Sequence, residues 1–207
     1  MSQPARARDQ PLTRDLVVDA AARLVEADDI SALTMRRLAA ELGTAVTAIY
    51  WHVGNRDALL DLLVDRLLAD LGRVRVSGAT TTVRLTSIAR QWRRRLWEHP
   101  HLIGLAHARG KTARMFQPMQ AQIAEELAGI GLTGAAAAPL IRALQHHVAS
   151  SVLMQRTAER GPTTGVTDPG AWPADSDQAL IQALSELPDH EATFELGLAA
   201  LLDRLLP

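Results

Sequence analysis

Between Thr34 and Val53 the chain carries two apolar sets on either side of Gly43: Leu38, Ala39 and Leu42 before it, Val46 and Ile49 after it. Each set fills about two helical turns. Helices shorter than about 12 residues are marginal alone in water, so the pair must pack on each other. Thr34 supplies an N-cap oxygen for the first helix. Gly43, able to take positive φ, ends it, and Gly54 and Asn55 end the second. Ala39 is small where the two would cross. This spacing predicts a helix-turn-helix, whose second helix enters the major groove while the first crosses the DNA backbone. The same spacing serves an ordinary all-α core, in which Tyr50 and Trp51 only cap apolar packing and His52 is a solvated helix end.

The flanks are helical as well. Val17, Ala20, Ala21, Leu24 and Val25 fall on one helical face. So do Leu60, Leu63, Val64, Leu67 and Leu71, in a helix predicted from about Arg56 to Leu71. "GRVRVSGATTT" has no helical period and reads as a boundary. Beyond it, helices are expected near residues 82–98, 101–109, 112–130, 134–159, 176–187 and 189–206. Residues 160–175, rich in Gly, Pro and Thr, read as a long mobile loop of the kind that closes over ligands. No alternating pattern is long enough for a sheet, so the fold class is all-α. The expected division is residues 1–55 as N-terminal arm and helix-turn-helix, 56–72 as connecting helix, and 73–207 as a helical body.

With no cysteine in 207 residues, the chain has no thiolate metal site and no Cys nucleophile. Its opening lacks the apolar core of a signal peptide, and no run approaches the roughly 20 apolar residues of a membrane helix; the expectation is a cytoplasmic protein. Charge is unevenly spread. Residues 1–60 hold 7 Arg against 8 acidic residues, residues 84–114 hold 8 Lys or Arg against Glu98 alone, and residues 161–207 hold Arg204 against 8 acidic residues. A near-neutral head must bind DNA through a few well-placed arginines. The basic stretch "RQWRRRLW", residues 90–97, has three readings: a solvated face, a partner for the acidic C-terminal helices, or a site for an acidic ligand.

The chain has only 1 Tyr, 4 Trp and 2 Phe, yet Tyr50, Trp51 and His52 are consecutive. With Val46 and Ile49 inward, Thr47, Ala48, Tyr50, Trp51 and His52 fall on the exposed arc of the second helix. The polar tips of the three rings suit phosphates and their faces suit sugars or a thymine methyl. Thr47 and Ala48 are short enough to approach base edges. Arg36 and Arg56 flank this helix as phosphate clamps, and Thr34 could serve as both cap and phosphate contact.

The stretch "LTMRRLAAELGTAVTAIYWHVGNRDALLDLL" resembles the DNA-binding domain of the tetracycline-repressor (TetR) family, and "YWHV" followed by Asn55 and "ALLD" is similar to the tetracycline repressors themselves. "ATFELGLAALLDRLL" resembles the last helix of that subgroup. The resemblance implies a homodimeric transcriptional repressor and not an enzyme, with a DNA-binding head and a helical body that dimerises and binds a small-molecule effector. It implies DNA contacts at Thr34, Arg36, Thr47, Ala48, Tyr50, Trp51, His52 and Arg56. It also implies a four-helix dimer interface including Val148, Phe194, Gly197, Leu198, Leu201 and Leu205.

Tetracycline repressors place a magnesium-binding His about where His107 falls. This sequence departs from them at Gly72, Gly110 and Met154, which stand where a drug-contacting His, a Thr and a metal-linked Glu are expected. Magnesium–tetracycline is therefore not the expected effector, and no metal or cofactor is assigned. An apolar or aromatic effector is expected, with Trp92, Leu96, Leu105, His107, Met115, Phe116, Met119, His147, Val152 and Met154 as candidate pocket residues; methionines suit an adaptable wall. An alternative class, a metal-dependent helical hydrolase using His107, His146 and His147, lacks a His-x-x-x-His pair and a nearby carboxylate to orient the rings.

Overall fold

The computed structural model describes residues 11–28, 30–99, 101–160, 170, 172–173 and 175–206. Most of the loop read at 160–175, and the N-terminal arm before residue 11, lie outside the described residues. The described residues form ten α-helices: α1 (Arg14–Ala27), α2 (Met35–Glu41), α3 (Val46–Val53), α4 (Arg56–Leu71), α5 (Thr81–Glu98), α6 (Leu102–Ala108), α7 (Thr112–Ala128), α8 (Gly134–Arg160), α9 (Gln178–Ser185) and α10 (His190–Leu205). None of the described helices is long and apolar enough to cross a membrane.

The chain divides into two compact units, Met1–Gly72 with His101–Met115, and Arg73–Pro100 with Phe116–Pro207. Residues 101–115, assigned from sequence to the C-terminal body, thus cluster with the N-terminal unit. The reason is a charge ladder. Asp57, Asp61 and Asp65 recur every four residues along α4, one below another on its face. Arg109 bonds Asp61 at 2.9 Å and Asp57 at 3.2 Å. Lys111 reaches the Asp61 carbonyl oxygen and the Asp65 carboxylate, both at 3.0 Å. Arg114 meets Asp65 at 2.8 Å.

In this first unit Thr13 caps α1 by accepting from the Leu16 N–H at 3.2 Å, and Asn55 caps α4 by accepting from Ala58 at 2.8 Å. The inward faces meet in a core in which Val17, Leu33, Leu38, Ile49, Leu59 and Leu63 are fully buried. Each such side chain contributes about 1.5–3 kcal/mol through burial.

The second unit is organised by α8, which packs on α5 and α10. Leu85, Ile88, Trp92 and Leu96 repeat every three or four residues on α5 and are fully buried, as are Leu144 and Val148 on α8. Gln122 of α7 is buried and holds the extended segment before α5: its side-chain oxygen accepts from the Val74 N–H at 2.9 Å and its amide donates to the Val74 carbonyl at 2.7 Å. Arg73 grips Glu125 with two prongs, and Arg84 pairs with Glu126.

Candidate nucleic-acid interface

The α2–α3 pair is held as its spacing requires. The Thr34 hydroxyl oxygen accepts from the Arg37 N–H at 3.1 Å. Accepting leaves the hydroxyl proton free to donate to a phosphate, so cap and contact are compatible roles. Gly43 sits in the turn at φ +62°, a region costly for any residue with a Cβ. The Thr44 N–H then bonds the Ala39 carbonyl at 3.0 Å, closing the turn over buried Ala39.

The inward face of α3 is Ile49 and Val53, one helical turn apart and 0% and 4% exposed. Val46, expected to face inward, is only half-buried; it opens the helix, before the turn that reaches the core. The outward arc is as expected at three positions. Thr47 is exposed, Tyr50 is 48% exposed and Trp51 is 87% exposed. Ala48 and His52 are half-buried. Arg14 donates to the His52 carbonyl at 3.1 Å, fastening the end of α3 to the start of α1. Two consecutive large rings are thus left in solvent on one short helix.

The arginines divide sharply. Arg37 pairs with Asp28, Arg23 lies 4.0 Å from Glu41, and Arg66 bonds Asp19 and Asp70. Arg56, assigned from sequence as a phosphate clamp, donates to the Leu33 carbonyl at 3.1 Å and to that of Ile30 at 3.2 Å. Those carbonyls end the link between α1 and α2, so Arg56 first serves the fold. Arg36 is exposed and, among the described residues of the head, is the guanidinium without a partner. Among its described residues the near-neutral head thus leaves Arg36 free of the chain's own carboxylates and Tyr50 and Trp51 in solvent.

The family model for bacterial regulatory proteins of the tetR family matches residues 17–63, the span of this head. The chain is 30% identical over 205 residues to the HTH-type transcriptional repressor Rv1353c of Mycobacterium tuberculosis, covering 90% of this chain and 77% of that one. The chain belongs to the TetR family. It is also 32% identical over 181 residues to the HTH-type transcriptional repressor DrrR1 of Streptomyces coeruleorubidus, which covers 83% of this chain but only 64% of that repressor. Among solved structures, the TetR family protein ActR of Streptomyces coelicolor in complex with actinorhodin matches with a TM-score of 0.71 at 30% identity, over 95% of this chain and 98% of that one. The relatives are regulators, not enzymes, so the hydrolase reading has no support among them. Among the described residues no group of three or more His, Asp or Glu is placed to hold a metal.

In this TetR family member the candidate pocket residues divide between the units. Leu105 and Met115 are buried in the first, and His107 is exposed there. Trp92, Leu96, Phe116, Met119 and Val152 are buried in the second. The Trp92 indole N–H is buried without a hydrogen-bond partner. Met154 is 66% exposed, on the outer side of α8, two residues beyond inward Val152.

The expected dimer residues lie on α8 and α10. Val148, Phe194 and Leu198 are at most 1% exposed in the single chain, so they offer no area to a second copy. They form the α8–α10 packing instead. Gly197 lies under the His147 ring, which a methyl there would overlap. His147 stacks on Phe194 with centroids 5.0 Å apart, and its Nε2 donates to the Phe194 carbonyl at 2.8 Å. Leu201 is half-buried, and the Leu205 side chain lies outside the described residues. The large apolar side chains left exposed on the described parts of these helices are Leu153 and Met154 of α8 and Leu196 of α10.

Two arginines of the basic stretch 90–97 meet carboxylates of the acidic C-terminal helix. Arg90 bonds Glu195 with two prongs at 2.6 and 2.7 Å, holding that carboxyl below its ordinary range. Arg93 pairs with Glu191, bonds Gln155 at 2.7 Å and lies 4.8 Å over the Phe194 ring.

Proposed function

We propose that this TetR family member is a homodimeric transcriptional repressor whose two α3 helices read a palindromic operator, and that a small-molecule effector releases it. The observation that carries the reading is the pairing on one short helix of fully buried Ile49 with Trp51 at 87% exposure. One face is fixed rigidly, and the other is held out in solvent for a partner. Thr47, Ala48, Tyr50, Trp51 and His52 supply base-edge and sugar contacts, and Thr34 and Arg36 contact phosphates. One such head makes too few contacts for specificity, whereas two related by a two-fold axis double them and read half-sites a helical turn or more apart. The dimer forms through the α8–α10 face that carries Leu153, Met154 and Leu196. A two-fold interface places the same patch on both subunits.

Effector control needs only unequal affinity for the operator-binding and released forms. The complex of ActR with actinorhodin supports a small-molecule effector. Gly72, Gly110 and Met154 favour an effector other than magnesium–tetracycline. The site of action is the cytoplasm. Selection of bound duplexes from a random library, followed by footprinting, tests the reading. An enriched inverted repeat protected on both half-sites is expected; recovery of unrelated duplexes would overturn it.

A further inference from the structure

The basic face of α5 carries two grooves that share Arg90 and Arg94. One, of about 590 Å³, also contains Asp189 and Glu191, so its arginines meet carboxylates of the chain itself. The other, of about 430 Å³, is lined by Arg75, Ser77, Val83, Ser87, Gln91 and Arg94 besides Arg90, with no acidic residue. The second groove is within the size range of small-molecule sites, about 300–1,000 Å³.

Its charges are unbalanced. Four neighbouring arginines each have a carboxylate: Arg73 has Glu125, Arg84 has Glu126, Arg90 has Glu195 and Arg93 has Glu191. Arg75 and Arg94 have no ion-pair partner among the described residues. The groove is also built. Gln122 holds Val74 through both its N–H and its carbonyl, and Gln91 donates to the Arg75 carbonyl and to the Ser87 hydroxyl at 2.9 Å. The Ser77 and Ser87 hydroxyls lie 3.2 Å apart. The wall that carries Arg75 is thus fixed before any ligand arrives, which removes an ordering cost. Val83, 51% exposed, supplies an apolar side.

We infer that this groove binds a small organic acid with an apolar body, its acid group between Arg75 and Arg94 and its body on Val83. This rests on the effector reading above and sharpens it: the effector is an anion, which takes up the acidic-ligand reading of residues 90–97 and adds the acid group to the apolar or aromatic body expected from sequence.

The test uses the full chain and two fluorescent probes that differ in one acid group: 8-anilino-1-naphthalenesulfonate and uncharged N-phenyl-1-naphthylamine. The sulfonate is expected to bind at least about tenfold more tightly, since a charge-assisted bond is worth about that or more. The double variant Arg75→Ala/Arg94→Ala is expected to remove that preference while leaving the uncharged probe, the circular dichroism spectrum and operator binding unchanged. Gln91→Glu, which places a carboxylate in the groove, is expected to weaken the sulfonate as well. Equal binding of the two probes, or a sulfonate preference that survives the double variant, overturns the inference. So does a double variant that loses operator affinity instead, which would assign these arginines to DNA phosphate. Operator binding by the unaltered chain is read separately, so failure of the groove is distinct from failure of the regulator reading.

Discussion

Arg56 Nε lies 3.1 Å from the carbonyl oxygen of Leu33, so the first residue of α4 closes the link between α1 and α2. Arg36, one turn of chain beyond that link, has no such duty. The two arginines that sequence paired as phosphate clamps are therefore separable. Arg56→Ala is expected to lower stability in urea by about 1–2 kcal/mol, the cost of leaving carbonyls without a charged donor. Arg36→Ala is expected to stay within about 0.5 kcal/mol and to reduce the salt slope of DNA binding by about 1. Equal stability of the two variants would contradict the assignment.

The α4 ladder makes the first unit acid-sensitive. Asp61 is held below its ordinary 3.8, first by the hydrogen bond from Arg109. A carboxyl depressed in the folded state stabilises fully above its unfolded value and loses that contribution as pH falls through the folded one. Melting temperature should thus fall on acidification below about pH 4, and Asp61→Asn should flatten that fall while lowering the neutral-pH midpoint. Parallel acid curves for the two proteins would remove Asp61 as the cause.

Gly197 touches the ring of His147, and the cost of adding a methyl there is specific to that ring. Gly197→Ala is expected to destabilise by about 1–3 kcal/mol through overpacking. In a His147→Ala background most of that cost should vanish, a coupling that a double-mutant cycle measures directly. An additive double variant would show that the close approach is not what the glycine serves.

On α10, alternate residues have opposite duties: Phe194 is 1% exposed and Leu196 is 74% exposed. Leu196→Asp is expected to leave the helical spectrum intact and shift sedimentation equilibrium toward monomer. Leu198→Asp, which buries a charge in the chain's own core, is expected to unfold the second unit instead. A dimer that tolerates Leu196→Asp would place the interface elsewhere.

Much of the fold was legible because helix ends are local. Thr34, Gly43 and the apolar period fixed α2 and α3 to within a residue, and the later helices differ from expectation by only a residue or two. What lay beyond reach was which partner a face meets. The stripe Phe194–Leu198 announces burial, but the same period serves a neighbour in the chain or a second copy, and here the neighbour takes it. Arg90 and Arg93 find Glu195 and Glu191 about a hundred residues away, a pairing that local charge counts cannot assign. Val46 failed for a local reason, since a helix-opening residue sits at the rim of the core. The outward arc at Thr47, Tyr50 and Trp51 was legible because Ile49 anchors the helix and fixes its rotation.

The central claim is that the exposed rings of α3 read DNA. The most direct measurement is titration of the full chain against its own upstream duplex and a scrambled duplex, at two salt concentrations, beside Tyr50→Ala. Tyr50 is 48% exposed, so the substitution should leave the melting curve unchanged. The account predicts that the unaltered chain prefers its own duplex, that its affinity falls with salt, and that Tyr50→Ala loses about 1–3 kcal/mol of that preference. Equal binding to both duplexes, unchanged in Tyr50→Ala, would contradict it.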